Sequence, residues 1–321
     1  MKNIIKDPLP TAVANLCCEQ IRGGGEDGFA YSFKESGPGF IACFDGCGGM
    51  GAKKYKALND QSGAKIASAL AGLTADRFFS AGGFRFDGTD SERLAAACSD
   101  IFRQANDTLK VPGELTIGGN LFKAIPTTAV IAAMHTAGKN KLKCEFIWAG
   151  DSRGYILDGK GLAQITDDDL ETEEDAFSNL RNDSKLSNVI NADQDFTLHE
   201  RQLTLDTPVI VITATDGSFG YFSTPMEFEY VLLKTLSVAE DEKQWAAGLE
   251  KMIRPYSGDD FTIVAAVYGF DSLEECKSYL APRLAELEEK YTDRLEGAEE
   301  KDLYELWLEY KTDYYRWWNN E

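Results

Sequence analysis

The sequence predicts an α+β fold in which sheets are covered by helices. Its strand-like runs, rich in β-branched and aromatic residues, fall mostly as hairpins, and its alanine-rich helical stretches come in pairs. That arrangement fits sheets with helices on their faces better than a strict βαβ alternation. A third observation concerns the ends of the strands: four of the apolar runs carry an aspartate at one end.

In chain order, residues 40–44 form a short apolar strand that runs into Asp45-Gly46. Alanine content and apolar spacing predict helices over residues 56–79 and 90–110. Residues 127–134 read as a buried strand. Residues 143–148 alternate like a strand and lead into Gly150-Asp151-Ser152-Arg153, with 154–157 as the return strand. The segment 167–183 is strongly acidic and is expected to be an exposed loop or flap. Residues 208–214 form an apolar run ending at Thr215-Asp216-Gly217, and helices follow over 225–236 and 240–254. Asp259-Asp260 then opens a last apolar strand over 261–268.

Composition limits the function classes. The chain has 321 residues, 43% apolar and 27% charged, which suits a soluble globular protein of one large domain or two small ones. No apolar run approaches the ~18 residues of a membrane span. The first twenty residues contain Asp7, two prolines and Glu19, so a signal peptide is not expected. Seven cysteines without metal-site spacing suit reduced thiols and a cytoplasmic location. The net charge of −20 repels nucleic-acid backbones and anionic membranes, and neither is an expected partner.

A single Asp-Gly after a strand is most simply a turn. Four together read differently. A lone carboxylate at the tip of a buried strand costs desolvation, and converged carboxylates repel unless a cation neutralises them. Oxygen ligands alone favour Mg²⁺ or Mn²⁺. Zinc is not expected, because the chain has only His135 and His199 and no cysteine pair at ligand spacing.

These residues fall in the order of a known pattern. Arg22-Gly23-Gly24-Gly25-Glu26-Asp27, Asp45-Gly46-Cys47-Gly48-Gly49, Thr127-Thr128-Ala129, Gly150-Asp151-Ser152-Arg153, Thr215-Asp216-Gly217 and Asp259-Asp260-Phe261-Thr262 follow one another along residues 22–268. In this the chain resembles the metal-dependent Ser/Thr protein phosphatases, the PPM or type 2C family, in its bacterial-like branch. The resemblance implies a sandwich of two antiparallel sheets flanked by helices, with two Mn²⁺ or Mg²⁺ ions at one edge. It implies that Asp45 bridges the ions, that the Gly46 carbonyl ligates one, and that Asp216 and Asp259 complete the other. Glu26 and Asp27 would hold metal-bound waters or bind directly, Asp151 would ligate a weaker third ion, and Arg22 would bind the phosphate. The implied reaction is hydrolysis of phosphoserine or phosphothreonine on proteins by a metal-bridged hydroxide. A catalytically inactive scaffold and a small-molecule phosphohydrolase are the alternatives.

The chain departs from the family pattern in places. Cys47 stands where many relatives have histidine, Pro126 where they have glycine, Asp260 where they have asparagine, and Thr166-Asp167-Asp168-Asp169 where they have Thr-x-Asp-His. Residues 1–270 are expected to form the phosphatase domain. Residues 271–321 lie outside the resemblance and read as a C-terminal helical hairpin. A capping pair at Ser272 and Glu275 opens it. One apolar stripe joins Leu284, Leu287, Tyr291 and Leu295, and a second joins Leu303, Trp307, Tyr310, Tyr314 and Trp317, with Gly297 as the break between them. Such stripes cannot remain in water, so the tail is expected to pack on its own domain or to form an interface.

Overall fold

A computed structural model describes residues 9–34, 37–109, 123–172, 174–181, 184–295 and 297–318. Ten strands form two antiparallel five-stranded sheets. The first contains β1 (Ala12–Cys18), β8 (Arg153–Asp158), β9 (Gly161–Gln164), β11 (Val209–Ala214) and β12 (Phe261–Tyr268), in the order β1-β12-β11-β8-β9. The second contains β2 (Gly28–Phe33), β3 (Gly39–Phe44), β6 (Ala129–Gly138), β7 (Lys141–Ala149) and β10 (His199–Asp206), in the order β10-β7-β6-β3-β2. A two-residue ribbon, β4 (Lys54–Tyr55) with β5 (Gln61–Ser62), stands apart. Among the described residues no helix is long and apolar enough to cross a membrane.

Period-two alternation explains why the central strands are apolar on both faces. Ile41 and Cys43 of β3 meet Val264, Ala266 and Tyr268 of β12 in the layer between the sheets. Phe40, Ala42 and Phe44 face outward onto α1 (Gly63–Ser80) and α2 (Asp90–Leu109). On the other side, Phe261, Ile263, Ala265 and Val267 face a second helical layer. That layer contains α4 (Pro225–Val238), α5 (Glu242–Ile253), α6 (Leu273–Leu287) and α8 (Glu300–Tyr314). The short α3 (Ala176–Asn179) lies in the acidic segment, and α7 (Asp293–Leu295) precedes Gly297, whose φ is 71°. The result is a four-layer sandwich, helices outside and sheets inside.

Two local expectations are corrected. The stretch 154–157 is not the hairpin partner of 143–148. β7 pairs with β6 and β10 in one sheet, whereas β8 pairs with β11 and β9 in the other. Both runs contribute to the inter-sheet layer, so the Gly150–Arg153 turn crosses the sandwich instead of reversing within a sheet. The helix expected from 56 begins only at Gly63, because Asn59 and Asp60 both adopt left-handed φ and close the β4–β5 ribbon. Ser62 then caps α1 by accepting from the Lys65 amide. The other expected helices run close to their predicted bounds, and residue 110 of the second lies outside the described residues.

The C-terminal helices share the core of the first sheet. Leu287, Tyr291, Leu306, Trp307, Tyr310 and Tyr314 are buried there, and Trp317 packs against the inter-sheet layer. Arg283 of α6 pairs with Glu229 of α4 at 2.7 Å, and the Tyr310 hydroxyl of α8 donates to the same carboxylate. Glu229 therefore joins the two tail helices through α4. Ser272 caps α6 as expected, but the Glu275 carboxylate accepts from Asp271 N–H, one residue earlier than a capping box requires.

Candidate active site

Strand register builds the site. Gly28 lies opposite Phe44, so Glu26-Asp27 before β2 and Asp45 after β3 leave the second sheet at one end. In the first sheet Ala214 lies opposite both Ile263 and Arg153. Asp216 after β11, Asp259 before β12 and Asp151 before β8 therefore also leave at one end. The two ends adjoin. The Thr215 hydroxyl donates to Asp27 Oδ2 at 2.8 Å, and Thr128 Oγ1 lies 2.6 Å from Ser152 Oγ.

The backbone of Asp45 is held by the two threonines at 127 and 128. Its carbonyl accepts from Thr127 Oγ1 at 2.7 Å and from Thr128 N–H at 2.8 Å. Gly46 follows because a Cβ there would lie 2.5 Å from the Ala64 carbonyl oxygen and 2.7 Å from that of Glu26. Glu26 accepts from the Ser62 hydroxyl, and a Cβ at Gly48 would collide with its Oε2.

The carboxylates repel one another. Burial pushes the Asp45 carboxyl well above its ordinary range, and Asp216, Asp27, Asp151 and Asp259 push it further. Burial likewise raises Asp151, with Asp216 and Asp168 adding repulsion. Asp27 is raised to about 7, chiefly by burial, against the Thr215 hydrogen bond that favours its charged form. Asp216 is raised to about 6 by burial and then by Asp259. Asp259 is itself raised by burial.

The oxygen chemistry of these groups suits a cation. Among the described residues Asp151 Oδ1 is buried without a hydrogen-bond partner. Asp45 is, among the described residues, hydrogen-bonded through its backbone alone, which leaves its carboxylate unengaged. The Arg153 guanidinium is committed elsewhere, in a bidentate pair with Asp168 at 2.9 and 2.6 Å. Among the described residues no group of three or more His, Cys, Asp or Glu side chains stands arranged to hold a metal ion. The fit is one of oxygen chemistry and convergence.

The remaining expected residues fall around this cluster. Arg22 is exposed on the rim of a cavity of about 550 Å³, lined also by Asp27, Lys65, Arg254 and Asp260. Asp260 accepts Gln20 N–H at 2.7 Å and Glu26 N–H at 2.6 Å, so its charge clamps the loop that carries Arg22 and Glu26. The Cys47 thiol is buried and its pKa is pushed well up by burial and by Asp45, which makes it inert. Asp169 accepts from Gly150 N–H at 2.9 Å and pairs with His199 at 2.8 Å, which ties the acidic flap to the Asp151 turn. Sequence reasoning missed the parts played by Thr215, Ser62 and Asp260. The only signal was the position of Thr215 and Asp260 next to motif aspartates.

No protein-family profile matches the chain, and no curated protein matches it in sequence. Solved structures do match. The serine/threonine phosphatase Stp1 from Staphylococcus aureus aligns with a TM-score of 0.59 at 18% identity, over 82% of this chain and 97% of that one. The Mycobacterium tuberculosis serine/threonine phosphatase PstP/Ppp aligns with a TM-score of 0.55 at 18% identity, over 80% and 98%. A C. elegans sex determining protein aligns with a TM-score of 0.61 at 15% identity, over 84% and 67%. With two antiparallel sheets, flanking helices and these neighbours, the chain has the fold of the PPM Ser/Thr phosphatases.

Proposed function

We propose that this protein is a Mn²⁺- or Mg²⁺-dependent phosphatase that hydrolyses phosphoserine and phosphothreonine on proteins. One observation carries the reading: the mutually repelling cluster of Asp27, Asp45, Asp151, Asp216 and Asp259 at the sandwich edge, with the buried Asp151 Oδ1 left unpartnered. Asp45, the Gly46 carbonyl, Asp216 and Asp259 would hold two ions, Asp151 a weaker third, and Glu26 with Asp27 would complete the shell. Bound there, the ions supply Lewis acidity toward phosphoryl oxygens and a water acidic enough to attack phosphorus near neutral pH.

The rest of the chemistry belongs to side chains. Arg22, planar and permanently charged, would grip the phosphate dianion from the rim. Asp260 holds the loop that carries Arg22 through its two amide contacts. The Thr127 hydroxyl and the Thr128 amide fix the Asp45 backbone, and Thr215 fixes Asp27. Cys47 is a poor proton donor, since burial raises its thiol well above the ordinary pKa. The leaving serine or threonine oxygen must then receive its proton from water at the site.

Release of phosphate from a phosphothreonine peptide and from p-nitrophenyl phosphate, each with Mn²⁺ and with chelator, tests this reading. Metal-dependent turnover of both is expected. Turnover of neither indicates an inactive scaffold, and turnover of small esters alone indicates a metabolite phosphohydrolase.

A further inference from the structure

The C-terminal segment contacts the acidic flap at several points. A four-residue helix such as α3 is too short to be stable alone in water. Its N-cap, Asp175, accepts from Trp307 Nε1–H at 2.7 Å, and the next residue, Ala176, donates its N–H to the Tyr315 hydroxyl at 2.7 Å. Phe177 stacks on Trp307 with ring centroids 6.2 Å apart. The base of the flap is held from the same side. The Tyr314 hydroxyl donates to Gln164 Oε1 at 3.0 Å, and Trp318 Nε1–H donates to the Gln164 carbonyl at 2.8 Å. Gln164 in turn donates to the Thr166 carbonyl at 2.7 Å. Asp168, two residues on, forms the buried pair with Arg153 and accepts from Asn179. Tail, flap and the Asp151 turn are thus one connected network.

The held flap has a surface use. Together with the loop 220–223 and the start of α8 it borders an open groove of about 670 Å³, lined by Leu180, Arg181, Tyr221, Phe222, Glu300 and Leu303. The groove lies beside the carboxylates: Gly220 on its wall donates N–H to the Asp216 carbonyl at 2.6 Å, and the Tyr221 hydroxyl on the same wall is raised in pKa by burial and then by Asp259, Asp216 and Asp45. Arg181 spans it, donating to the Ser223 carbonyl at 2.8 Å while its guanidinium lies 3.5 Å from the Phe177 ring centroid. The groove is open and far larger than one phosphate group needs. Its walls mix apolar, aromatic and charged groups, as a polypeptide requires.

We propose that the C-terminal extension is a positioning element of this site. Trp307, Tyr314 and Tyr315 hold the flap, and the held flap with α8 walls the groove that seats the polypeptide flanking a phosphorylated residue. The groove's occupant rests on the phosphatase reading above, but the bracing does not.

Trp307→Phe and Tyr315→Phe each delete one polar contact to the flap while keeping an aromatic ring. Amide hydrogen exchange of residues 174–181 is expected to quicken about tenfold in both, with that of β12 unchanged. KM for a phosphothreonine peptide is expected to rise about tenfold, with kcat and the KM for p-nitrophenyl phosphate unchanged. Because Trp307 is buried, Tyr315→Phe remains decisive if the other variant fails to fold. Unchanged flap exchange overturns the bracing. Faster exchange with an unchanged peptide KM overturns the groove. A wild-type protein that hydrolyses neither substrate overturns the phosphatase reading and the groove with it, while the exchange comparison still decides the bracing.

Discussion

The Thr215 hydroxyl donates a 2.8 Å hydrogen bond to the Asp27 carboxylate, and that bond crosses from one sheet of the sandwich to the other. Thr215 also accepts from Thr262 N–H at 2.8 Å, so its oxygen sits at a three-way junction beneath the carboxylate cluster. Thr215→Val preserves shape and removes the oxygen, leaving a buried carboxyl and a buried amide without their partner. Urea unfolding is expected to show a loss of about 1–3 kcal/mol, mostly recovered in Thr215→Ser. Equal midpoints for Thr215→Val and wild type would show that the junction contributes nothing.

Asp45 gives a prediction whose sign reverses with metal. Without metal its charge is opposed by burial and by four other carboxylates, so Asp45→Asn is expected to melt higher than wild type. With Mn²⁺ at ~100 times its Kd the wild type gains about 2.7 kcal/mol, and the variant gains far less. Thermal melts of both proteins, with and without Mn²⁺, check the crossover. Parallel shifts in the two would remove Asp45 from the metal site.

Arg22 and Asp260 form a hand and its wrist. Arg22→Ala is expected to raise KM for phosphorylated substrates with a smaller effect on kcat, and Arg22→Lys to recover only part of it. Asp260→Asn keeps one acceptor oxygen and loses the other, so one of the two loop amides loses its partner. A milder rise in KM is expected from it. Steady-state kinetics in which Asp260→Asn exceeds Arg22→Ala would contradict the clamp.

Glu145 predicts the direction of the pH dependence of stability. It lies in β7 opposite Gln202, and burial, followed by the nearby Glu200, raises its carboxyl to about 8. The folded pKa is above the unfolded value of about 4.5, so the folded protein holds a proton that the unfolded chain releases. That contribution is complete below pH ~4.5 and is lost as pH rises through about 8. Glu145→Gln is expected to raise the melting temperature at pH 8 and to flatten the decline between pH 5 and 8. A variant whose decline matches wild type would exclude Glu145 as its source.

What the sequence revealed and what it concealed have physical causes. The aspartates at the ends of runs 40–44, 208–214 and 261–268 were legible because those strands are buried on both faces, and an acidic residue ends each hydrophobic signal sharply. The stripe of Leu303, Trp307, Tyr310 and Tyr314 was legible for the same reason at helical period. β10 was not, because it is an edge strand whose residues His199, Glu200, Arg201 and Gln202 read as loop. The turn at Gly150–Arg153 looked like a hairpin because local sequence does not say which sheet a strand joins. Thr215 and Asp260 were hidden because a hydrogen bond spanning 188 or more residues leaves no local pattern.

The central claim is that the carboxylate cluster is a metal-dependent phosphatase site. Phosphate release from a phosphothreonine peptide, followed while Mn²⁺ is titrated into metal-free protein, tests it most directly. The account predicts no release at the start, a saturable rise with Mn²⁺, and a loss of at least ~10² in kcat for Asp216→Asn and Asp259→Asn. Full turnover in chelator, or near-normal turnover in either variant, would contradict it.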